Sequence, residues 1–263
     1  MSRPTHLLAS KRRILVTGAS RGIGAATARL LAHAGHRVIL AARSRPALES
    51  LANELADHGA EPPEILVLDV TDADDVARAI AVATRSEAID VLVNNAGRCT
   101  QRLVLERSLE DMNDEMRLDY WGAVHTTRAI LPHFLARRGG AIVNVSSLLG
   151  SVGCPTTANY SAAKAALEAW THAMRGELAP YGIELVVFVA PHTDTDAGRA
   201  TRFDGVASLP VEHTARGLVR AIDRRPRRAS SSPVYEVLLR LAAWFPAFME
   251  RRLAVSVRSL IAS

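Results

Sequence analysis

Ile14-Leu15-Val16-Thr17-Gly18-Ala19-Ser20-Arg21-Gly22-Ile23-Gly24 decides the reading of this chain. The run up to Thr17 is too short for a helix and reads apolar almost continuously, as a strand covered on both faces does. The chain then turns through Gly18, Gly22 and Gly24 and opens a helix. Gly18 permits the turn, Gly22 and Gly24 let the backbone approach a ligand, and the first helical turn offers free N–H groups to a phosphate. Thr27 stands where G-x-G-x-x-G would place its third glycine, so the stretch departs from that fingerprint.

The same strand–helix unit recurs outward from this point. Short β-branched or aliphatic runs at 14–17, 38–40, 65–68, 89–93, 142–145 and 185–189 alternate with amphipathic stretches at about 24–34, 45–58, 72–85, 109–137 and 159–181. This alternation predicts an α/β fold: a single-domain Rossmann-type doubly wound parallel sheet with helices on both faces and right-handed crossovers. Gly35 is placed to end the first helix and Pro180-Tyr181-Gly182 the fifth. Past Pro191 the pattern changes. Residues 192–208 read as a polar, irregular substrate loop, 211–222 as a helix, 224–233 as a basic Ser/Pro-rich connector, and 234–263 as apolar and aromatic with interspersed arginines. The expected organisation is a domain over 1–223 followed by a basic connector and an amphipathic C-terminal helical tail over 224–263.

Composition narrows the class. At 263 residues and 48% hydrophobic, the chain can bury a full core and is not a disordered one. Two cysteines, Cys99 and Cys154, exclude a disulfide scaffold, and the histidines show no metal-ligand spacing, so no metal is expected. No apolar run approaches the roughly 20 residues of a membrane-spanning helix. The N-terminus is short and polar without a signal-peptide core, which points to the cytoplasm. Among 32 basic residues only Lys11 and Lys164 are lysines. The arginines are spread along the chain without a recognisable nucleic-acid module, so no nucleic-acid partner is expected.

Two further places carry chemistry. The second strand ends at Ala41-Ala42-Arg43, with alanine where an NAD-preferring fold places an acid for the ribose 2′-hydroxyl. Arg43, with Arg21 from the glycine turn, suits a 2′-phosphate and therefore NADP(H); two merely solvated arginines are the plainer reading. Tyr160 and Lys164 lie four residues apart on a strong helix, one turn from each other. An ammonium about 4 Å from a phenol, at an effective dielectric of ~20, favours the phenolate by about 4 kcal/mol, roughly three pK units. Such an effect would bring Tyr160 to the pH range of acid–base work. Ser147, just past the fifth strand, can reach the crevice and polarise a substrate oxygen.

These elements together resemble the short-chain dehydrogenase/reductase family: TGxxxGIG at Thr17 to Gly24, Asn94-Asn95-Ala96-Gly97 after the fourth strand, Ser147, and Tyr160 with Lys164, over about residues 11–196. The resemblance implies hydride transfer between a nicotinamide and an alcohol/carbonyl pair, in a homodimer or homotetramer. It makes Tyr160 the acid–base. Lys164 lowers its pKa and holds the nicotinamide ribose, and Ser147 orients the carbonyl. It also implies cofactor contacts at Gly18, Ser20, Arg21, Gly22, Ile23 and Gly24, at Arg43, at Asp69 and Val70 for the adenine, and at Asn95, Ala96 and Gly97, with Asn95 supporting the central sheet.

The chain departs from the family pattern in places. Asp119 stands where many members carry an asparagine that helps hold a water beside the lysine, which counts it among the catalytic residues and predicts slower or pH-shifted turnover without loss of the reaction. The usual Pro-Gly after the sixth strand is Pro191-His192, and Thr195 is the expected carboxamide contact. His192 and Cys154 are each read either as pocket residues or as solvated and packing residues. The tail, over 234–253, reads as a lid or subunit contact, or as a peripheral membrane contact through Trp244, Phe245 and Phe248. The expected function is an NADP(H)-dependent oxidoreductase acting on a lipophilic carbonyl or secondary alcohol. The alternatives are a non-catalytic NADP(H)-binding regulatory or scaffolding protein, and a non-redox lyase or isomerase on the same fold.

Overall fold

The computed structural model describes residues 11–201, 203, 206–232, 234, 244, 251, 254 and 255. Its first strand, β1 (Arg13–Thr17), is buried along its whole length. After the glycine turn comes α1 (Gly22–His33), which Gly35 ends in a left-handed conformation. The next elements are β2 (Arg37–Ala42), α2 (Arg45–Asp57), β3 (Glu64–Val67), α3 (Ala73–Ser86) and β4 (Val91–Asn94). The stretch expected as one helix over 109–137 is α4 (Leu109–Met116) and α5 (Gly122–Arg137), joined by a turn of π-helix at Arg117–Trp121. Then follow β5 (Gly140–Ser147), the single turn α6 (Leu148–Ser151), α7 (Ala158–Leu178) and β6 (Ile183–Ala190). The polar loop holds β7 (Thr193–Asp194), the short α8 (Asp196–Arg199) and β8 (Leu209–Pro210), and leads into α9 (Val211–Arg224).

A last strand, β9 (Arg228–Ser230), lies inside the segment read as a connector and pairs parallel with β6. The main sheet therefore has seven parallel strands in the order β3-β2-β1-β4-β5-β6-β9, one more than the apolar runs predicted. Helices cover both faces. Alternate residues of each strand serve opposite cores: Ile14, Val16, Val143 and Val145 pack toward α1, α2 and α9, while Leu15, Leu92 and Ile142 pack toward α3, α5 and α7. Strand order reverses between β1 and β4, and the crevice beyond their C-terminal ends is where such sheets bind ligands.

Among the described residues no helix is long and apolar enough to cross a membrane. The tail reading over 234–253 falls almost wholly outside the described residues.

Candidate active site

Thr17, the last residue of β1, shapes the glycine turn. Its hydroxyl accepts from the backbone N–H groups of Asn95 (3.0 Å) and Ala96 (3.1 Å), and the Asn95 amide donates back to the Thr17 (3.0 Å) and Gly18 (3.3 Å) carbonyls. The space is tight enough that a Cβ on Gly24 would overlap the Gly18 carbonyl oxygen and stand 2.6 Å from the Asn95 amide. Asn95 thus braces the turn, and support of the sheet itself falls to Asn94. Buried Asn94 donates to Asn144 on β5 (2.8 Å) and Thr127 on α5 (3.0 Å), and Asn144 donates on to Thr171 on α7 (2.8 Å).

α1 begins without a side-chain cap and without an acid in its first turn, whereas α2, α3 and α4 are capped by Ser44, Asp72 and Ser108. Its leading N–H groups are left for an anion. Gly22, at φ +57°, faces the cavity there: a Cβ on it would meet only the Thr195 side chain, at 3.4 Å. This open cradle, with its uncapped dipole, fits the pyrophosphate of a dinucleotide.

The cavity beyond it holds about 770 Å³. Gly18, Ser20, Arg21, Gly22 and Ile23 line one end, with Arg43, Asp69 and Val70 beside them. Asn95, Ala96 and Gly97 line its middle, Thr195 faces it from the polar loop, and Ser147, Tyr160 and Lys164 line the far end. Thr195 also caps α8, accepting from Gly198 N–H at 3.0 Å. Gly24 lies behind the turn and Asp119 behind Gly97; neither is part of the lining. The end of β2 carries no acid, but Asp69 comes within 3.7 Å of exposed Arg43, so a carboxylate does stand beside the guanidinium. His192 and Cys99 also line the cavity, whereas Cys154 is buried outside it. His192 meets the Phe203 ring edge-on at 5.4 Å.

The chemistry centres on α7. Tyr160 is half-buried and faces the cavity beside Ser147. Lys164 Nζ lies 5.6 Å from the Tyr160 ring centre and 3.2 Å from Asp119 Oδ1, and donates to the Val145 carbonyl at 3.3 Å. Asp119 is held in the π-turn with its carboxylate fully buried, accepting from Arg98 N–H at 3.2 Å. Gly97 is required beside this pair, because a Cβ there would overlap Asp119 Oδ1 and stand 3.2 Å from Lys164 Nζ.

The expected acidification of Tyr160 is not found. Burial pushes its phenol well above the ordinary value, and the charges of Asp119 and Cys99 push the same way against the Ser147 hydrogen bond. Tyr160 and Lys164 do face each other, but a third charge lies between their electrostatics: the lysine is already paired. Burial likewise pushes Asp119 up to about 6, against the lysine and the Arg98 N–H.

Sequence reasoning missed one more buried pair. Arg107 and Glu115, both almost inaccessible, join at 2.5 Å; Glu115 also accepts from Thr100 N–H (2.8 Å) and the Asn159 amide (3.1 Å). They fasten the loop after β4 to the start of α7, beside Tyr160. Nothing in a charge pair eight residues apart distinguishes it from a surface one.

Sheet order, crevice and uncapped α1 define a nucleotide-binding α/β protein of the Rossmann type. A family model described as short chain dehydrogenase matches residues 12–204. A fatty acyl-CoA reductase of Acinetobacter baylyi is 33% identical over 223 residues, which span 82% of this chain and 75% of that protein. A 3-oxoacyl-acyl-carrier-protein reductase of Synechocystis is 40% identical over 179 residues, 67% of this chain and 72% of that one. The structure of a short-chain dehydrogenase from Sphingobium yanoikuyae in complex with NADPH superposes with a TM-score of 0.76 at 29% identity, covering 84% of this chain and 88% of that chain. The chain belongs to the short-chain dehydrogenase/reductase family of oxidoreductases.

Proposed function

We propose that the protein is an NADP(H)-dependent oxidoreductase that interconverts a carbonyl and a secondary alcohol on a lipophilic small molecule, with Tyr160 as the acid–base. The observation that carries this reading is the meeting of Ser147, Tyr160 and Lys164 in the cavity into which the glycine turn opens. The first turn of α1 and Gly22 take the pyrophosphate, Asp69 and Val70 the adenine, and Lys164 the nicotinamide ribose. Thr195 takes the carboxamide, and Arg21 and Arg43 take the 2′-phosphate. The NADPH held by the Sphingobium neighbour supports that choice of dinucleotide. Such a cofactor supplies or removes the hydride.

The chain's own groups manage the proton and the pose. Ser147 donates a hydrogen bond to the substrate oxygen, and Tyr160 delivers its proton to that oxygen in reduction or takes one from the alcohol in oxidation. A phenol held protonated by burial and Asp119 suits the reductive direction. Leu148, Leu149, Val152, Phe203 and Val206 make the substrate end apolar, which fits a lipophilic ketone. The reading includes an α/β domain that runs through β9 rather than ending at 223 as the sequence reading places it, with a tail beyond it, and a cytoplasmic homodimer or homotetramer.

NADPH oxidation against a panel of ketones and aldehydes tests it. Turnover is expected with an apolar carbonyl, with kcat/KM favouring NADPH over NADH by roughly tenfold or more, the worth of one charge-assisted contact. Arg43→Ala is expected to remove most of that preference while leaving the NADH value unchanged. Tight NADPH binding with no carbonyl turned over would replace the redox reading by the binding-protein one, and a preference for NADH would refute the assignment of Arg43.

A further inference from the structure

The polar side of β5 continues past the asparagine network. By strand alternation Ile142, Asn144 and Ser146 face α7. Buried Ser146 donates its hydroxyl to Glu168 Oε1 at 2.7 Å. Ser151, at the end of α6, donates to the same oxygen at 3.4 Å. Arg228, on the edge strand β9, pairs with Glu168 Oε2 at 2.6 Å and donates to the Ser151 hydroxyl at 2.7 Å. The four groups close a ring around the turn 147–150. Ser146 immediately precedes Ser147 and Ser151 ends the turn, so a single carboxylate holds both ends. That carboxylate sits on α7, one helical turn beyond Lys164 and two beyond Tyr160. The turn also packs directly on the lysine: a Cβ on Gly150 would stand 2.8 Å from Lys164 Cβ and 3.0 Å from Ser146 Oγ.

We propose that Glu168, locked by Arg228, is a positioning residue that fixes the Ser147 hydroxyl against the Tyr160 phenol, making the last strand of the sheet a working part of the active site. The inference rests on the roles given above to Ser147 and Tyr160. The ring spans the only covalent path from β5 to α6, so loosening it lets the serine move while the phenol stays with α7. Ser147 beside the phenol lowers its pKa against burial, so a displaced serine leaves the phenol harder to ionise as well as the substrate oxygen worse held.

The test is a double-mutant cycle. Glu168→Gln is expected to lower kcat for carbonyl reduction by about tenfold, less than a full 1 Å misplacement costs. NADPH affinity stays within about twofold, because the pyrophosphate cradle at the turn between β1 and α1 is not part of the ring. The pH at which alcohol oxidation rises, set by ionisation of the phenol, is expected to move upward. In a Ser147→Ala background the same substitution is expected to cost no more than about twofold, since the positioned group is gone. Arg228→Met enters the ring from the other side and should reproduce the effect if Glu168→Gln folds poorly, with Arg228→Lys recovering part of it. Equal losses in both backgrounds would mean a merely structural ring and overturn the proposal, as would an indifferent kcat. A wild-type chain that binds NADPH but turns over no carbonyl would fail the redox reading itself and this inference with it, whereas a wild-type enzyme that works and ignores Glu168→Gln fails this inference alone.

Discussion

Tyr160→Phe is expected to lower kcat for carbonyl reduction by about a thousandfold, within the range of a positioned general acid and equivalent to about 4 kcal/mol of barrier. Only the hydroxyl is lost. The ring remains beside Lys164 Nζ, 5.6 Å from its centre, so neither the packing of α7 nor the cofactor cradle changes. NADPH affinity measured by fluorescence is therefore expected to stay within about threefold, and the loss to fall on kcat rather than on KM for either substrate. The hydroxyl also has no substitute at hand. Ser147 stays bonded to the α6 turn, where it accepts from Leu149 N–H at 3.2 Å, and the Cys99 thiol is pushed far above its ordinary range by burial and by Glu115. Activity surviving Tyr160→Phe to within tenfold of wild type would remove the phenol from the reaction, leaving the cavity a binding site whose chemistry lies elsewhere.

The fold and half the site could be read without coordinates, because the signals involved are local. A buried parallel strand is an unbroken apolar run, a phosphate turn needs glycine at fixed steps, and residues four apart on a helix must share a face. Cavity-lining positions from Gly18 to Ile23 and from Asn95 to Gly97 follow from these alone. The misses are all non-local. β9 is three residues, Arg228–Ser230, with no apolar run, and becomes a strand only because β6 offers it an edge. The π-turn at Arg117–Trp121 inserts no distinctive residue, so 109–137 reads as one helix although the insertion is what turns Asp119 inward. Tyr160 shows the limit best. Its spacing to Lys164 gives proximity, but whether its phenol becomes more or less acidic depends on its burial and on a carboxylate from another element, neither of which a spacing encodes.

That carboxylate makes the second large effect. Asp119→Asn is expected to move the pH profile of alcohol oxidation, measured as kcat/KM with saturating cofactor, toward acid by roughly 1–2 pH units. The sign follows from the charges. Asp119 is pushed up to about 6, so above that pH it carries a negative charge that opposes ionisation of Tyr160 and engages Lys164 at 3.2 Å. Asparagine keeps the shape in the π-turn, removes the charge, and leaves the lysine's field to the phenol. Phenolate, the base for oxidation, then forms at lower pH, and oxidation near pH 7–8 rises by about tenfold or more, because the phenolate fraction grows tenfold for each pH unit by which the phenol becomes more acidic. Reduction needs the protonated phenol, so its decline at alkaline pH should begin earlier by the same interval. Below about pH 6 the aspartate is neutral and the two proteins should converge, which gives the wild-type oxidation profile an inflection near 6 that the variant lacks. A stability change alone would lower both directions together and move neither limb. Superimposable profiles would show that the buried aspartate does not reach the phenol electrostatically.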